Sequence, residues 1–383
     1  MIAGEPSGDV LGGRLIAALK AKSDSALNFV GVGGDRMIAE GLESLFDMQE
    51  LSVMGYLEVV PRLPGLIARL RETTEAARKL RPDAVVTIDS PDFTFRVARK
   101  LKGLGIPLIH YVAPQVWAHR PWRAAKIAGF LDHILALLPF EPPLFEAHGL
   151  ACTYVGHAIV EEGADAGDGP GFRLRHGIPA DAPLIAALPG SRHGEVSRHL
   201  PIFGAALGKL AVNRPGLRAV VPTVAAVAEE VAQGAADWPV ETLVITGGRE
   251  KYHAFAAADA ALAASGTVAL ELAIAALPTV IAYKANALTA WAARRMILVP
   301  YVCLVNLILD QPAVPEFLQD RCRPDLLAEA VAELLDDAQA RAAQIAASRR
   351  AVEILGHGAP GLGGDSPSAR AATVVLEIIA KSA

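Results

Sequence analysis

Short, continuous apolar runs alternate with longer amphipathic segments along nearly the whole chain, and few folds accommodate that rhythm. "DAVVTID", "PLIHYV", "HILALLPF", "LIAALPG", "LRAVVPTV", "ETLVIT", "AALAAS" and "PTVIAY" carry no charge in their centres. Apolar on both faces, such runs suit strands of a parallel sheet covered on either side by helices. Between them lie helix-like stretches such as "GLIARLRETTEAARKL" and "LPIFGAALGKLAVNR". The expectation is an α/β protein. Composition shifts at "EEGADAGDGPG", where Gly, Asp, Ala and Pro replace any periodicity. Residues 163–171 therefore read as a linker, and the rhythm restarts at "PLIAALPGSRHGE". Two Rossmann-like domains follow from this, over 1–162 and 172–350, with parallel sheets facing across a cleft. Ligands of such sheets bind at the carboxyl ends of the strands. A final helix over 366–383 packs back on the first domain or on a partner.

The chain has 383 residues, enough for two domains at about 150 residues each. At 52% hydrophobic and 20% charged residues it supports a large core. A net charge of -5 gives no footing for a nucleic-acid partner. Cys152, Cys303 and Cys322 form no C-x-x-C pair, which argues against a disulfide framework or a zinc site and for a reducing, cytoplasmic setting. No secretory leader is expected at Met1. Mean hydropathy is +0.34, yet the most apolar stretches fall short of the ~18–20 residues a membrane span needs.

Several turns carry chemistry. "GEPSGD" leads from an apolar start into a helix and places Glu5, Ser7, Gly8 and Asp9 together, with no cation before Arg14. Ser7 and Asp9 also fit ordinary helix-start chemistry. "TIDSPDF" sets Asp89 at a strand end, with Asp92 shortly after. The pair reads as turn chemistry or as a general base at a cleft. "HYVAPQVWAHRPWR", containing Trp117, combines aromatic faces with cations, which suits sugars and phosphates. In "LPGSRHGEV", Gly190 makes the turn, Ser191 reads as an N-cap and Arg192 stands at the helix start. Amides, helix dipole and guanidinium together suit a diphosphate. "ASGTVALE" repeats the logic with Ser265, Gly266 and Thr267. Glu271 lies one helical turn beyond Thr267, within an apolar helix, where a carboxylate can accept ribose hydroxyls. Two phosphate-type turns without GxGxxG point to a nucleotide-sugar. "MGYLEVVPRLPGLIARLRE", with Arg62, Arg69 and Arg71 interspersed, reads as a core-facing helix or as an amphipathic segment on an anionic membrane.

Taken in order, "GEPSGD", "VGVGGDRM", "SVMGYLEV", "IDSPDF", "HYVAPQVWA", "LPFE", "VGHA", "LPGSRHGEV", "ASGTVALE" and "PYVCLVNLIL" resemble the lipid-A-disaccharide synthase family, GT-B-fold inverting glycosyltransferases, over nearly the whole chain. The resemblance implies transfer of 2,3-diacylglucosamine from UDP-2,3-diacylglucosamine to the 6-hydroxyl of 2,3-diacylglucosamine 1-phosphate (lipid X). The products are a β-1,6-linked disaccharide phosphate and UDP. No metal or cofactor is expected, the UDP-sugar being a substrate. Asp89 matches the family's base. Arg192 neutralises the diphosphate, helped by amides near Ser191 and at Ser265–Thr267. Glu271 holds the ribose, and Asn306 in "CLVNL" touches the donor. Leu57, Val59, Val60, Leu63, Leu66 and Ile67 accommodate acyl chains or touch the inner-membrane surface, to which the protein is expected to bind peripherally. Carboxyl-terminal helices of this family can exchange between protomers, and the glycine-rich 356–364 stretch could serve as the hinge of a homodimer. With the donor phosphates assigned to the second domain, Glu5, Ser7 and Asp9 become acceptor-side or active-site candidates. Only Met1–Ala3 precede the first glycine turn, where the family usually has several more residues, and His119 stands where a second tryptophan is expected. Alternative readings are another UDP-GlcNAc-using GT-B enzyme, such as an epimerase or a peptidoglycan glycosyltransferase, and a non-catalytic, membrane-associated nucleotide-sugar-binding protein.

Overall fold

The structure is a computed structural model describing residues 1–51, 56–286, 299–357 and 364–382, with the backbone alone at 56–62 and 357. It divides into two compact units, residues 1–158 with 355–383 and residues 159–354.

In chain order the first unit holds β1 (Ile2–Ala3), α1 (Pro6–Lys22), β2 (Phe29–Gly31), α2 (Asp35–Ala39), β3 (Leu42–Ser44), α3 (Tyr56–Leu80), β4 (Val85–Ile88) and α4 (Pro91–Leu101). β5 (Leu108–Tyr111), α5 (Arg123–Ala128), β6 (His133–Ala136), α6 (Pro142–Glu146) and β7 (Ala151–Tyr154) follow. Five strands form one sheet in the order β1-β4-β5-β6-β7, every pairing parallel. The runs "DAVVTID", "PLIHYV" and "HILALLPF" supply its centre, and Ile88, Ile109, Ile134 and Leu135 are fully buried. This is what helices on both faces of a parallel sheet require.

The second unit runs through α7 (Gly169–Arg175), β8 (Leu184–Leu188), α8 (His193–Ala211), β9 (Arg218–Thr223), α9 (Ala228–Ala236), β10 (Glu241–Thr246) and α10 (Glu250–Ala257). It continues with β11 (Ala260–Ala264), α11 (Val268–Ile274), β12 (Thr279–Tyr283), α12 (Leu304–Leu309), β13 (Glu316–Leu318), α13 (Pro324–Asp336) and most of α14 (Ala338–His357). Its six-stranded parallel sheet has the order β10-β9-β8-β11-β12-β13. Growth starts at β8, runs outward to β10, then reverses to β11. The switch point therefore lies between β8 and β11. Phe203 and Leu207 of α8 pack with Leu327 and Val331 of α13, Val221 of β9 and Leu262 of β11.

The 163–171 stretch is not a free linker. Asp168 caps α7 by accepting the Gly171 N–H at 2.9 Å, and Phe172 is fully buried. A Cβ on Gly167 would lie 2.2 Å from the Tyr252 carbonyl oxygen, and one on Gly169 2.3 Å from that of Ala256. Glycine is needed there because α7 lies directly against α10. The last helix, α15 (Pro367–Ser382), packs on α1 within its own unit. Buried Arg370 ties it down, donating to the Val155 and Gly356 carbonyls at 2.8 Å each and also to that of Asp365. Most of the 356–364 stretch read as a hinge lies outside the described residues. Among the described residues no helix is long and apolar enough to cross a membrane.

Candidate active site

At the carboxyl edge of the first sheet, loops after β1, β4, β5 and β6 meet. The "GEPSGD" turn is set by close packing: a Cβ on Gly8 would sit 3.3 Å from the Ile88 carbonyl oxygen, and one on Gly4 only 2.5 Å from the Ser90 hydroxyl. That proximity lets the Ser7 hydroxyl donate to Asp89 Oδ2 at 3.2 Å. Asp89 and Ser90 both adopt left-handed backbone conformations, φ 50° and 45°. Thr94 Oγ1 holds the turn by donating to the carbonyls of both, at 2.8 and 2.9 Å. One strand over, Val112 has φ 83°, a genuine outlier for a β-branched residue. Positions of this kind cost about 1–3 kcal/mol each and concentrate at functional sites. Here they mark the edge where Asp89 stands.

Other candidates of this edge resolve differently. Asp9 is buried, and its carboxylate accepts the backbone N–H groups of Gly34, Arg36 and Met37 at 2.8, 3.0 and 3.0 Å. It caps α2 and joins it to α1, so an active-site role for Asp9 is corrected to a structural one. Glu5 is the exposed N-cap residue of α1, and Asp92 is exposed in the first turn of α4. Trp117 is half-buried, meets Phe140 edge-on and donates its indole N–H to Glu141 Oε1 at 3.2 Å. Glu141 sits at 2% exposure, and its Oε2 accepts the Leu137 and Leu138 N–H groups at 3.1 and 2.9 Å. Burial pushes its carboxyl up to about 7 against the pull of those hydrogen bonds. Reading the sequence for turns passed over Glu141. The signal was a lone carboxylate closing the apolar run "HILALLPFE".

The segment predicted to meet acyl chains is only partly described. Leu57, Val59 and Val60 lie where side chains are outside the description. On α3, Leu63 is 40% and Ile67 61% exposed, with Leu66 half-buried. Two of the cations there are engaged: Arg69 pairs with Glu50 and Glu72, each at 2.7 Å, and Arg71 pairs with Glu75 at 2.7 Å, while the Arg62 side chain lies outside the described residues.

In the second unit a cavity of about 750 Å³ opens at the switch point, lined by Gly190, Ser191, Arg192, Glu195, Lys251, Ser265, Gly266, Thr267 and Glu271. Gly190 has φ 126°, and a Cβ on it would lie 2.7 Å from that of Glu195. Helix α8 begins one residue later than the sequence suggests, so Arg192, not Ser191, is its N-cap. The Ser191 N–H and the Arg192 guanidinium converge on one carboxylate, that of Glu195, at 3.3 and 3.2 Å. Two donors aimed at a single anion are what a phosphate oxygen needs. Ser265 spends its hydroxyl on the Val302 carbonyl at 3.1 Å, while Gly266 and Thr267 stay exposed.

One assignment changes here and another gains a partner. Glu271 is not a bare ribose acceptor: its Oε1 accepts from Lys251 Nζ at 2.6 Å and lies 3.5 Å from the Tyr252 hydroxyl. Asn306 is fully buried and cannot touch a ligand in this arrangement. Its amide donates to Val314 O and Glu316 Oε1 at 2.8 and 2.7 Å, and its oxygen accepts the Val314 N–H at 2.8 Å. Glu316 in turn accepts the Val302 and Cys303 N–H groups at 3.0 and 2.9 Å. Asn306 therefore braces the segment that holds Ser265. A further brace escaped the sequence reading. Buried His199 donates from Nδ1 to the Pro189 carbonyl at 2.8 Å and accepts the Lys284 N–H at Nε2, 2.9 Å. Arg198 beside it donates to the Lys284 carbonyl at 2.9 Å. Burial lowers the His199 pKa, consistent with the neutral tautomer these bonds demand.

Two Rossmann-like units, each with functional loops at the carboxyl edge of a parallel sheet, define the GT-B class of glycosyltransferase folds, and solved structures agree. The UDP-GlcNAc 2-epimerase from Neisseria meningitidis, solved with UDP-GlcNAc bound, superposes at TM-score 0.61 with 12% identity, covering 99% of this chain and 98% of that one. MurG of Acinetobacter baumannii gives 0.55 with 16% identity over 98% and 96%, and the calicheamicin glycosyltransferase CalG4 gives 0.59 with 17% over 99% and 97%. The chain belongs to the lipid-A-disaccharide synthase family: residues 1–359 match the family model described as lipid-A-disaccharide synthetase. The lipid-A-disaccharide synthase of Rhodospirillum centenum is 56% identical, covering 100% of this chain and 94% of its own length. That of Paramagnetospirillum magneticum is 51% identical over 99% and 97%. The protein is accordingly an enzyme of lipid A biosynthesis, and the family implies lipid-linked sugar substrates.

Proposed function

We propose that the enzyme joins UDP-2,3-diacylglucosamine to lipid X, forming the β-1,6-linked disaccharide 1-phosphate and UDP. The observation that carries this is the convergence of the Ser191 N–H and the Arg192 guanidinium on one anion at the switch point. In this reading the donor's β-phosphate takes over those two donors from Glu195, with the Gly266 and Thr267 amides close by. Asp89 accepts the proton of the acceptor's 6-hydroxyl as its oxygen attacks the anomeric carbon. The bond to the diphosphate oxygen breaks on the opposite face, and Arg192 takes the charge that develops there. Ser7 supports the reading by holding Asp89 Oδ2, which leaves Oδ1 for the proton. Exposed Leu63 and Ile67 are offered to acyl chains or to the inner-membrane surface. No metal enters this scheme.

The test is UDP release. Wild type should release UDP only when both acylated sugars are present. Arg192→Ala should lower turnover roughly 10²–10³-fold, the usual cost of removing a donor to developing charge. Turnover of non-acylated UDP-GlcNAc at a comparable rate would move the chain to another reaction of the same fold.

A further inference from the structure

We propose that Lys251 is a positioning residue for the donor nucleotide: it fixes the Glu271 carboxylate by Oε1, so that Oε2 is the oxygen offered to the ribose hydroxyls. The inference rests on the reading of the cavity as the UDP site.

Glu271 and Lys251 line the same cavity from different helices, α11 and α10. Glu271 is 9% exposed, with Leu270 and Leu272 fully buried on either side. Two groups approach its Oε1, Lys251 Nζ at 2.6 Å and the Tyr252 hydroxyl at 3.5 Å. A tyrosine hydroxyl has one proton to donate, and Tyr252 has a nearer acceptor, Glu162 Oε2, at 2.9 Å. The Tyr252 proton therefore belongs to Glu162, and among the described residues Lys251 is the strong donor to Glu271. β11 ("AALAA"), β12 ("TVIAY") and α12 ("LVNLIL") carry no charged side chain. Among the described residues the groups that act on the Glu271 carboxyl are Lys251 and Tyr252 from α10 and Glu162 from the turn before α7, and Arg192 and Glu195 at the start of α8 line the same cavity. Burial raises the Glu271 pKa and the Glu162 charge raises it further, while the Lys251 charge and hydrogen bond oppose both. Without Lys251, a buried carboxyl beside a second carboxylate takes up a proton. It then no longer accepts two sugar hydroxyls as an anion.

The test compares Lys251→Met, Lys251→Arg and Glu271→Gln with wild type, titrating UDP and uridine at pH 7 and pH 9. Lys251→Met should bind both ligands roughly tenfold more weakly at pH 7 and recover toward wild type at pH 9, as Glu271 ionises. Lys251→Arg should bind like wild type, and Glu271→Gln should stay weak at both pH values. A loss confined to UDP would make Lys251 a phosphate ligand instead and overturn the proposal. So would a loss in Lys251→Met that ignores pH. Glu271→Gln weak beside an unimpaired Lys251→Met would remove this inference alone. Glu271→Gln binding like wild type would remove the ribose role itself.

Discussion

At the residue scale, single polar groups are placed by what they are bonded to. Asp9, Asp89, Glu141 and Glu271 are all carboxylates near strand or helix ends, and the sequence alone could not separate them. Asp9 accepts three backbone N–H groups and is structural. Asp89 accepts from the Ser7 hydroxyl on a strained turn. Removing the Asp9 cap in Asp9→Ala should cost on the order of 1–3 kcal/mol, since the buried Met37 N–H is orphaned and the part-buried bonds from Gly34 and Arg36 are lost. A fall in thermal midpoint with near-normal turnover of the remaining folded enzyme is expected. Glu141 makes a pH prediction. Folding raises its carboxyl from 4.5 to about 7, so the folded protein takes up this proton at a higher pH than the unfolded chain does. Above pH 7 the buried charge is a cost on the order of 3 kcal/mol, which is relieved as pH falls through 7 toward 4.5. Wild type should therefore gain on Glu141→Gln in thermal midpoint between pH 8 and pH 5. A pH-independent difference would show that Glu141 is not titrating there.

At the element scale, α8 does more than cover the sheet. Its first two turns hold the Pro189 carbonyl through His199 and both backbone groups of Lys284 through His199 and Arg198. This joins the turn carrying Ser191 and Arg192 to the exit of β12. His199→Leu orphans the buried Pro189 carbonyl and removes the acceptor of the part-buried Lys284 N–H bond, and should destabilise the protein by about 1–3 kcal/mol, with a raised KM for the UDP-sugar. His199→Asn, which can still donate to Pro189, should recover part of both. An unchanged KM in His199→Leu would reduce the brace to a packing contact. Element boundaries explain other surprises. The 163–171 stretch has the composition of a linker because Asp, Gly and Pro also serve to cap α7 and bring it against α10. The two uses look alike until the neighbour is seen. α3 looks like a membrane-seeking cationic helix, yet Arg69 and Arg71 are paired with carboxylates, one of them Glu50 from outside the helix.

At the scale of the whole molecule, the apolar runs were sufficient to read both parallel sheets. β4, β5, β6, β8, β9, β10, β11 and β12 all fall on them. β2, β3, β7 and β13 were not legible. They are three or four residues long and only partly buried, so no continuous apolar run betrays them. Turn positions such as Asp89, Gly190 and Arg192 could be read because strand ends are visible in sequence. The braces His199, Asn306, Glu141 and Lys251 could not, because their partners lie 3 to 85 residues away. In the proposed reaction the labour of transfer is divided between the units, with the anchor for the leaving diphosphate at Arg192 in one and the base at Asp89 in the other. The measurement that bears on this most directly is the rate of UDP release by Asp89→Ala, with both lipid substrates saturating and UDP affinity checked in parallel. The account predicts turnover lowered about 10²–10⁴-fold with UDP affinity unchanged. Retention of most of the wild-type rate would contradict it.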